Sequence, residues 1–296
     1  MQVQIQTLGE TQVRINGREV QWRAHSARDL LLYLLSYPEG RTRRQILDSL
    51  WAADLSTRTN NRFRVTLHRL RTTLGSPASV TEHSGRFQLS PDVWRASDVF
   101  RLYWALDSAE HDHDPARQTE ALEQAVALYH GDYLPEHEAE WAEQARQEHR
   151  AAYVHAHLEL SRLYCLAGDC ALSVQALSVA LRADPYAGEA HHQRLMTCLS
   201  VVADTYQATD AYRRFKKFLR EELQDEPLPE TQALARRVSQ GDHLCQRAMG
   251  LLAARAQPWP TPLVPDSHGP AEWHSLLASG CPQAAESSSD DLGALN

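Results

Sequence analysis

The sequence predicts a mainly α-helical chain with a small α+β domain at its N-terminus. Alternating polar and apolar residues and tight-turn signals are concentrated in residues 1–94. Helical periodicity then runs through residues 95–256. Residues 257–296 hold six of the 14 prolines and no lysine or arginine, which is typical of a disordered tail. These three ranges are the predicted domains, and within the tail only residues 271–277 suggest a short helix.

The α+β domain begins with a predicted antiparallel sheet. Val3, Ile5 and Thr7 alternate with glutamines, which is the period of two expected of a strand. Asn16-Gly17, followed by Val20, is a strong hairpin-turn signal.

Two helices are predicted after this sheet. Ser26 is expected to cap the first helix, whose apolar face includes Leu30 and Leu34. Thr42 is expected to cap a shorter second helix that ends near Trp51.

The segment 56–75 predicts a third, amphipathic helix. Phe63, Leu67, Leu70 and Leu74 recur at helical spacing, so they form one face that must be buried. The opposite face is rich in arginine and carries Arg58, Asn61, Arg62, Val65, His68, Arg69 and Thr72.

A short β-hairpin is predicted next. A strand around Val80 is expected to pair with one around Phe87, through a turn at 82–86 that contains Gly85. Strands, three helices and a hairpin, in this order, are typical of a winged helix-turn-helix domain.

The remainder predicts irregular helical repeats of the tetratricopeptide (TPR) kind. The longest predicted helix ends at Gly168, and small residues such as Ala176 and Ala208 lie where helices are expected to touch. Prolines 185 and 227 close two helix pairs at a spacing wider than the ~34 residues of a standard repeat. An ordinary helical bundle is the alternative. The predicted helices span 136–167, 169–183, 186–202, 204–223 and 229–241.

Charge divides the chain in the same way. Residues 1–95 contain 14 arginines, no lysine and eight acidic residues, whereas the whole chain has a net charge of −8. A basic N-terminal part followed by an acidic remainder suits a nucleic-acid-binding protein whose second domain contacts other proteins. Random variation in charge between domains is the simpler alternative. The five scattered cysteines and the absence of a signal-peptide pattern favour a cytoplasmic location.

Two parts of the sequence resemble known domains. Residues 8–94 resemble the winged-helix DNA-binding domain shared by response regulators and antibiotic-regulatory activators, through "LGETQVRINGREV", "ARDLLLYLLSYPEGRTRRQILDSLW" and "NNRFRVTLHRLRTTLG". Residues 96–241 resemble the bacterial transcriptional activator (BTAD) domain, through "SDVFRLYWAL", "GDYLP", "WAEQAR", "RADPYAGEAHHQRLM" and "AYRRFKKFLREELQDEPLPETQAL". One departure is Phe63, which stands where a leucine is common.

The resemblance implies a transcriptional activator of the antibiotic-regulatory-protein type, which is abbreviated below as SARP-like. Such a protein is expected to bind double-stranded promoter DNA as paired protomers on direct repeats, and to contact RNA polymerase holoenzyme. It is expected to be associated with the nucleoid in the cytoplasm, with no membrane partner and no cofactor. A repressor with the same fold and a TPR-type protein-binding scaffold are the alternatives.

Nine residues are predicted to contact DNA. Arginine pairs bidentately with guanine and asparagine with adenine, whereas a valine methyl suits the thymine methyl group. The two arginines that open the second helix suit a phosphate. Arg86, expected at the hairpin tip, suits either the minor groove or the DNA backbone beside it. For any single arginine, a solvated surface charge is the alternative. The predicted DNA-binding residues are Arg43, Arg44, Arg58, Asn61, Arg62, Val65, His68, Arg69 and Arg86.

Signals for other functions are weak. The His-Asp-His-Asp run at 111–114 lacks a second set of metal ligands at a useful spacing, so no metal site is predicted. Cys165 and Cys170 are expected to be small packed residues. The sequence contains no catalytic serine elbow, zinc-protease motif or phosphate-binding loop, so no enzymatic activity is predicted.

Overall fold

The computed structural model describes residues 2–245, which all belong to one compact unit. It confirms the predicted fold class, because a small α+β region precedes a long series of helices. The predicted tail (257–296) and its short helix (271–277) lie outside the described residues. No helix in the described part of the chain is long and apolar enough to cross a membrane.

The N-terminal sheet contains three antiparallel strands in the order β1-β2-β3. They are β1 (Val3–Gln6), β2 (Gln12–Ile15) and β3 (Arg18–Glu19). As predicted, β2 turns into β3 through Asn16-Gly17, where both residues have positive φ (49° and 78°). That conformation suits a tight hairpin because it matches the twist of the flanking strands.

Three helices follow: α1 (His25–Leu35), α2 (Arg43–Trp51) and α3 (Thr57–Thr73). The prediction that Ser26 caps α1 was wrong. Ala24 occupies the cap position and makes no side-chain cap bond, whereas Ser26 lies inside the first turn. The prediction for Thr42 is confirmed, because its side chain accepts from the Gln45 N–H in a reciprocal capping box.

A second three-stranded sheet forms the wing, in the order β4-β6-β5. Its strands are β4 (Arg41–Thr42), β5 (Val80–His83) and β6 (Arg86–Leu89). The predicted turn at 82–86 was too wide. His83 pairs with Arg86, so the turn consists only of Ser84 and Gly85, whose positive φ values close a two-residue hairpin. Strand β4 was not predicted, because two residues carry no periodic signal.

The core of this winged helix is assembled from the predicted apolar faces. Leu30, Leu34, Phe63 and Leu70 are buried together with Val80 of the wing. Helix α1 is covered along most of its length and packs against both α2 and α3. The amphipathic third helix is therefore held with one face inward and the opposite face free.

Eight helices make up the rest of the described chain. Consecutive helices from α5 to α11 pack against one another, and α9 also packs against α11, which is the layered pairing of TPR-like repeats. Ala176, Ala180 and Ala208 are buried, as expected of small residues between helices. The eight are α4 (Pro91–Arg95), α5 (Asp98–His111), α6 (Pro115–Ala127), α7 (Glu140–Ala167), α8 (Cys170–Ala183), α9 (Glu189–Val202), α10 (Thr205–Phe218, continuing as a π-helical turn at Leu219–Leu223) and α11 (Pro229–Ser239).

Helix α7 begins at Glu140 rather than at residue 136 as predicted. The preceding loop is held by Arg146, whose guanidinium donates to the carbonyl oxygens of Tyr133, Leu134 and His137. These bonds satisfy three carbonyl oxygens of the segment 133–137 from outside, and this segment precedes the helix without being part of it.

A buried carboxylate joins the winged helix to the repeat domain. Asp98, the first residue of α5, accepts hydrogen bonds from the N–H groups of Thr7 (2.6 Å) and Leu8 (2.8 Å). It also accepts from the Thr7 hydroxyl at 2.7 Å, and its side chain is almost fully buried. One side chain thus satisfies three donors of the segment that follows β1.

A second contact runs through Tyr133, which lies between α6 and α7. Its hydroxyl is 2.8 Å from the Ser36 hydroxyl at the end of α1, and its ring meets the His149 ring edge-on. His149 bonds in turn to the Tyr103 hydroxyl (3.0 Å). Burial lowers the pKa of His149 to about 3, so this ring stays neutral near physiological pH.

Gly9→Ala is expected to destabilise the same junction by about 1–3 kcal/mol. Gly9 has a φ of +97°, and an added Cβ would lie 2.8 Å from the carbonyl carbon of His130. Gly17→Ala is the matched control, because Gly17 also has a positive φ but has open space around it. Urea unfolding should show the larger loss for Gly9→Ala, and equal losses would contradict the close contact.

Candidate nucleic-acid interface

Helix α3 is fixed in place at its start and along its inner face. Ser56 accepts from the Thr59 N–H and Thr59 accepts from the Ser56 N–H, which forms a reciprocal cap. Phe63 is buried with its ring edge against Phe87 of the wing, at 4.9 Å between centroids. The capped start and the aromatic contact set the rotation of the helix, and therefore which residues point outward.

The outer face of α3 is basic. The helix contains five arginines and no acidic residue. All six of its predicted DNA-binding residues are exposed, and the apolar Val65 keeps 41% of its surface accessible. These residues are Arg58, Asn61, Arg62, Val65, His68 and Arg69.

Arg62 is both exposed and oriented. Its guanidinium carbon lies 4.5 Å from the ring centroid of Trp51, the last residue of α2. This stacking restrains a flexible side chain while its donors stay accessible.

Of the three predicted residues outside α3, the two at the start of α2 differ in their exposure. Arg44 is exposed on the first turn of α2. Arg43 is only partly exposed, and its guanidinium lies over the rings of Phe63 (5.4 Å) and Phe87 (5.7 Å). Part of this side chain therefore packs against the base of the wing.

Arg86 does not occupy the hairpin tip, which is formed by Ser84 and Gly85. It lies at the start of β6 and donates to the carbonyl oxygen of Gly40 at 3.1 Å. This bond ties the wing to the turn before α2. Its predicted minor-groove contact remains a prediction that requires the side chain to reorient.

A groove beside α3 contains Arg64, which the sequence analysis did not select. The predicted residue His68 and its neighbour Thr72 also line this groove from the helix, and Ser76 lines it from the following turn. Arg64 was missed because it lies at the margin between the buried and exposed faces, where a helical wheel gives no clear assignment. Arg71, also in this groove, donates to the Val80 carbonyl oxygen and thereby anchors β5 to the helix.

The other signals in the sequence have structural explanations. Asp114 accepts from the Ala116 N–H and caps α6, and Asp112 accepts from the Asp114 N–H. No group of three potential metal ligands occurs within residues 2–245. Cys165 and Cys198 are buried, and burial raises the pKa of Cys198 to about 11, which disfavours its thiolate.

Ser56→Ala is expected to destabilise the protein by about 0.5–2 kcal/mol, because the first turn of α3 loses its cap. Ser56→Asp, which retains an acceptor at this position, should lose much less. Urea unfolding of the three proteins measures the difference. Equal stability of all three would contradict a role for this cap.

Comparison with known proteins identifies the second domain. Residues 97–239 match the family model of the bacterial transcriptional activator domain. No curated protein matches the sequence significantly.

A solved structure extends the likeness to most of the chain. EmbR of Mycobacterium tuberculosis, in complex with a low-affinity phosphopeptide, matches with a TM-score of 0.68 and 19% identity. The match covers 84% of this chain and 68% of EmbR. Residues 97–239 thus match the bacterial transcriptional activator domain, and the likeness to EmbR shows the fold, in which a winged helix precedes a series of helical repeats.

Proposed function

We propose that this chain is a SARP-like transcriptional regulator, and that it binds double-stranded DNA in a sequence-specific manner by placing α3 in the major groove. The observation that carries the proposal is the outer face of α3, which is exposed, rich in arginine and without a carboxylate. A helix of this width fits the major groove, where base edges present a readable pattern of donors and acceptors. The inner face supports this role because it fixes the rotation of the helix.

The residues on this face divide by chemistry. Asn61 suits adenine, and Arg58, Arg62 and Arg69 suit guanine or phosphate. Val65 provides an apolar contact for a thymine methyl group. Arg44 at the start of α2 suits a backbone phosphate, since its position places it beside the free N–H groups of a helix N-terminus.

The proposed output is activation of transcription. The domain that follows the winged helix belongs to a family described as a transcriptional activator domain. Outside residues 1–95 the chain carries 16 basic and 30 acidic residues, which favours protein partners there over DNA. Paired protomers on direct repeats, contact with RNA polymerase holoenzyme and association with the nucleoid complete the proposal.

Salt dependence of DNA affinity tests the proposal. Phosphate contacts release counterions, so the log–log slope of affinity against salt is expected to be several units, at about 0.9 per phosphate contacted. Anisotropy titrations with a promoter duplex over a range of salt concentrations measure this slope. A protein-binding scaffold predicts no such dependence, so a flat slope or no binding would overturn the proposal.

A further inference from the structure

A second basic surface lies away from α3, over the solvent face of β1 and β2. It is a groove that continues to the junction of α4 and α5. Three guanidinium groups and three carboxamides line it, and no carboxylate does. The lining residues used below are Gln4, Gln6, Gln12, Arg14, Arg95 and Arg101.

Two of these arginines have charge available for a partner. Arg14 and Arg101 are exposed, and neither forms an ion pair with another residue in the range 2–245. Arg95 lies 3.8 Å from Asp92, which is itself almost fully exposed. Glu19 stands opposite Arg14 on β3, but it accepts from the Gln12 side chain instead.

The edge of β1 is open beside this groove. Strand β1 is an edge strand, and Asn16 donates to the carbonyl of Gln2 across the β1–β2 pair. Because antiparallel bonds alternate, the backbone groups of Val3 point away from β2. Further along, the Ile5 N–H is already bonded to the Ala96 carbonyl. An extended segment therefore has backbone partners at the start of β1.

We propose that this groove binds an acidic, extended segment of a partner protein. Carboxylates of the segment would pair with Arg14 and Arg101, while its backbone would lie beside Val3. The three glutamine side chains favour a peptide over a nucleic acid. A carboxamide offers both a donor and an acceptor, which matches a peptide group, whereas a phosphate only accepts.

This inference is independent of the DNA contacts of α3, because the groove and the outer face of α3 share no residue. Failure of one proposal therefore leaves the other intact, provided that peptide binding is measured without DNA.

The test uses the full chain and a fluorescein-labelled dodecapeptide of alternating glutamate and threonine. Anisotropy titration should show saturable, salt-sensitive binding. Arg14→Glu combined with Arg101→Glu should weaken it at least about tenfold. Arg213→Glu combined with Arg236→Glu is the matched control, since these arginines are exposed on α10 and α11 and the charge change is identical. The control should bind like the wild type.

Four results would overturn the proposal. The first is that the acidic peptide does not bind, and the second is that the groove variant and the control variant lose affinity for it equally. The third is that a lysine-threonine peptide binds as tightly as the acidic one.

The fourth result concerns the identity of the ligand. If the groove variant loses affinity for a scrambled DNA duplex as strongly as for the peptide, the groove is a phosphate-binding surface and not a peptide-binding one.

Discussion

Replacing Arg62 and Arg69 together by alanine is expected to remove most of the preference for a specific DNA site. Each bidentate arginine–base pair contributes about 1–3 kcal/mol of discrimination, so the double variant should lose about 2–6 kcal/mol. Arg62 is expected to contribute to this preference because stacking on Trp51 holds its guanidinium in one orientation. Affinity for the specific duplex should fall more than affinity for a scrambled duplex.

Parallel titrations with the specific and the scrambled duplex measure this ratio. Arg213→Ala combined with Arg236→Ala controls for the loss of two exposed arginines elsewhere on the chain. Urea unfolding checks that the variants remain folded. If the ratio of the two affinities stays at the wild-type value, the two arginines do not read bases.

Asp98→Ala is expected to cost about 3–5 kcal/mol of folding free energy. The substitution would leave the Thr7 and Leu8 N–H groups and the Thr7 hydroxyl without their acceptor inside a buried junction. Because these donors belong to the winged helix and Asp98 belongs to α5, the loss should also loosen the joint between the two parts. Urea unfolding monitored by far-UV circular dichroism measures the free energy.

Asp92→Ala is a suitable control for Asp98→Ala, because Asp92 is exposed and its ion pair with Arg95 is long, at 3.8 Å. It should change stability by less than about 1 kcal/mol. Equal effects of the two substitutions would mean that the buried carboxylate does not hold the joint.

The sequence predicted elements whose signal is local and periodic. The buried and exposed faces of α3 follow from the spacing of Phe63, Leu67 and Leu70, and the structure confirms their burial. The fold class and most helices were predicted for the same reason. Thr42 was predicted correctly as a cap because its partner Gln45 is only three residues away.

The errors and omissions have a different physical origin. The start of α7 depends on Arg146 bonding back to a loop, and the role of Asp98 depends on donors about 90 residues away in the chain. The packing of Arg43 over Phe87 likewise requires the wing to be in place. Contacts between residues far apart in sequence leave no periodic pattern, so only the structure reveals them.

Selection of bound fragments from a random DNA pool is the most direct test of base reading by α3. The chain of residues 1–296 is incubated with the pool at near-physiological salt. The retained fragments are sequenced in parallel with those retained by the Arg62→Ala, Arg69→Ala double variant. The wild type is expected to enrich a repeated short motif, and the double variant is expected to lose this enrichment. Retention of DNA without any enriched motif, or the same motif from both proteins, would contradict sequence reading by α3.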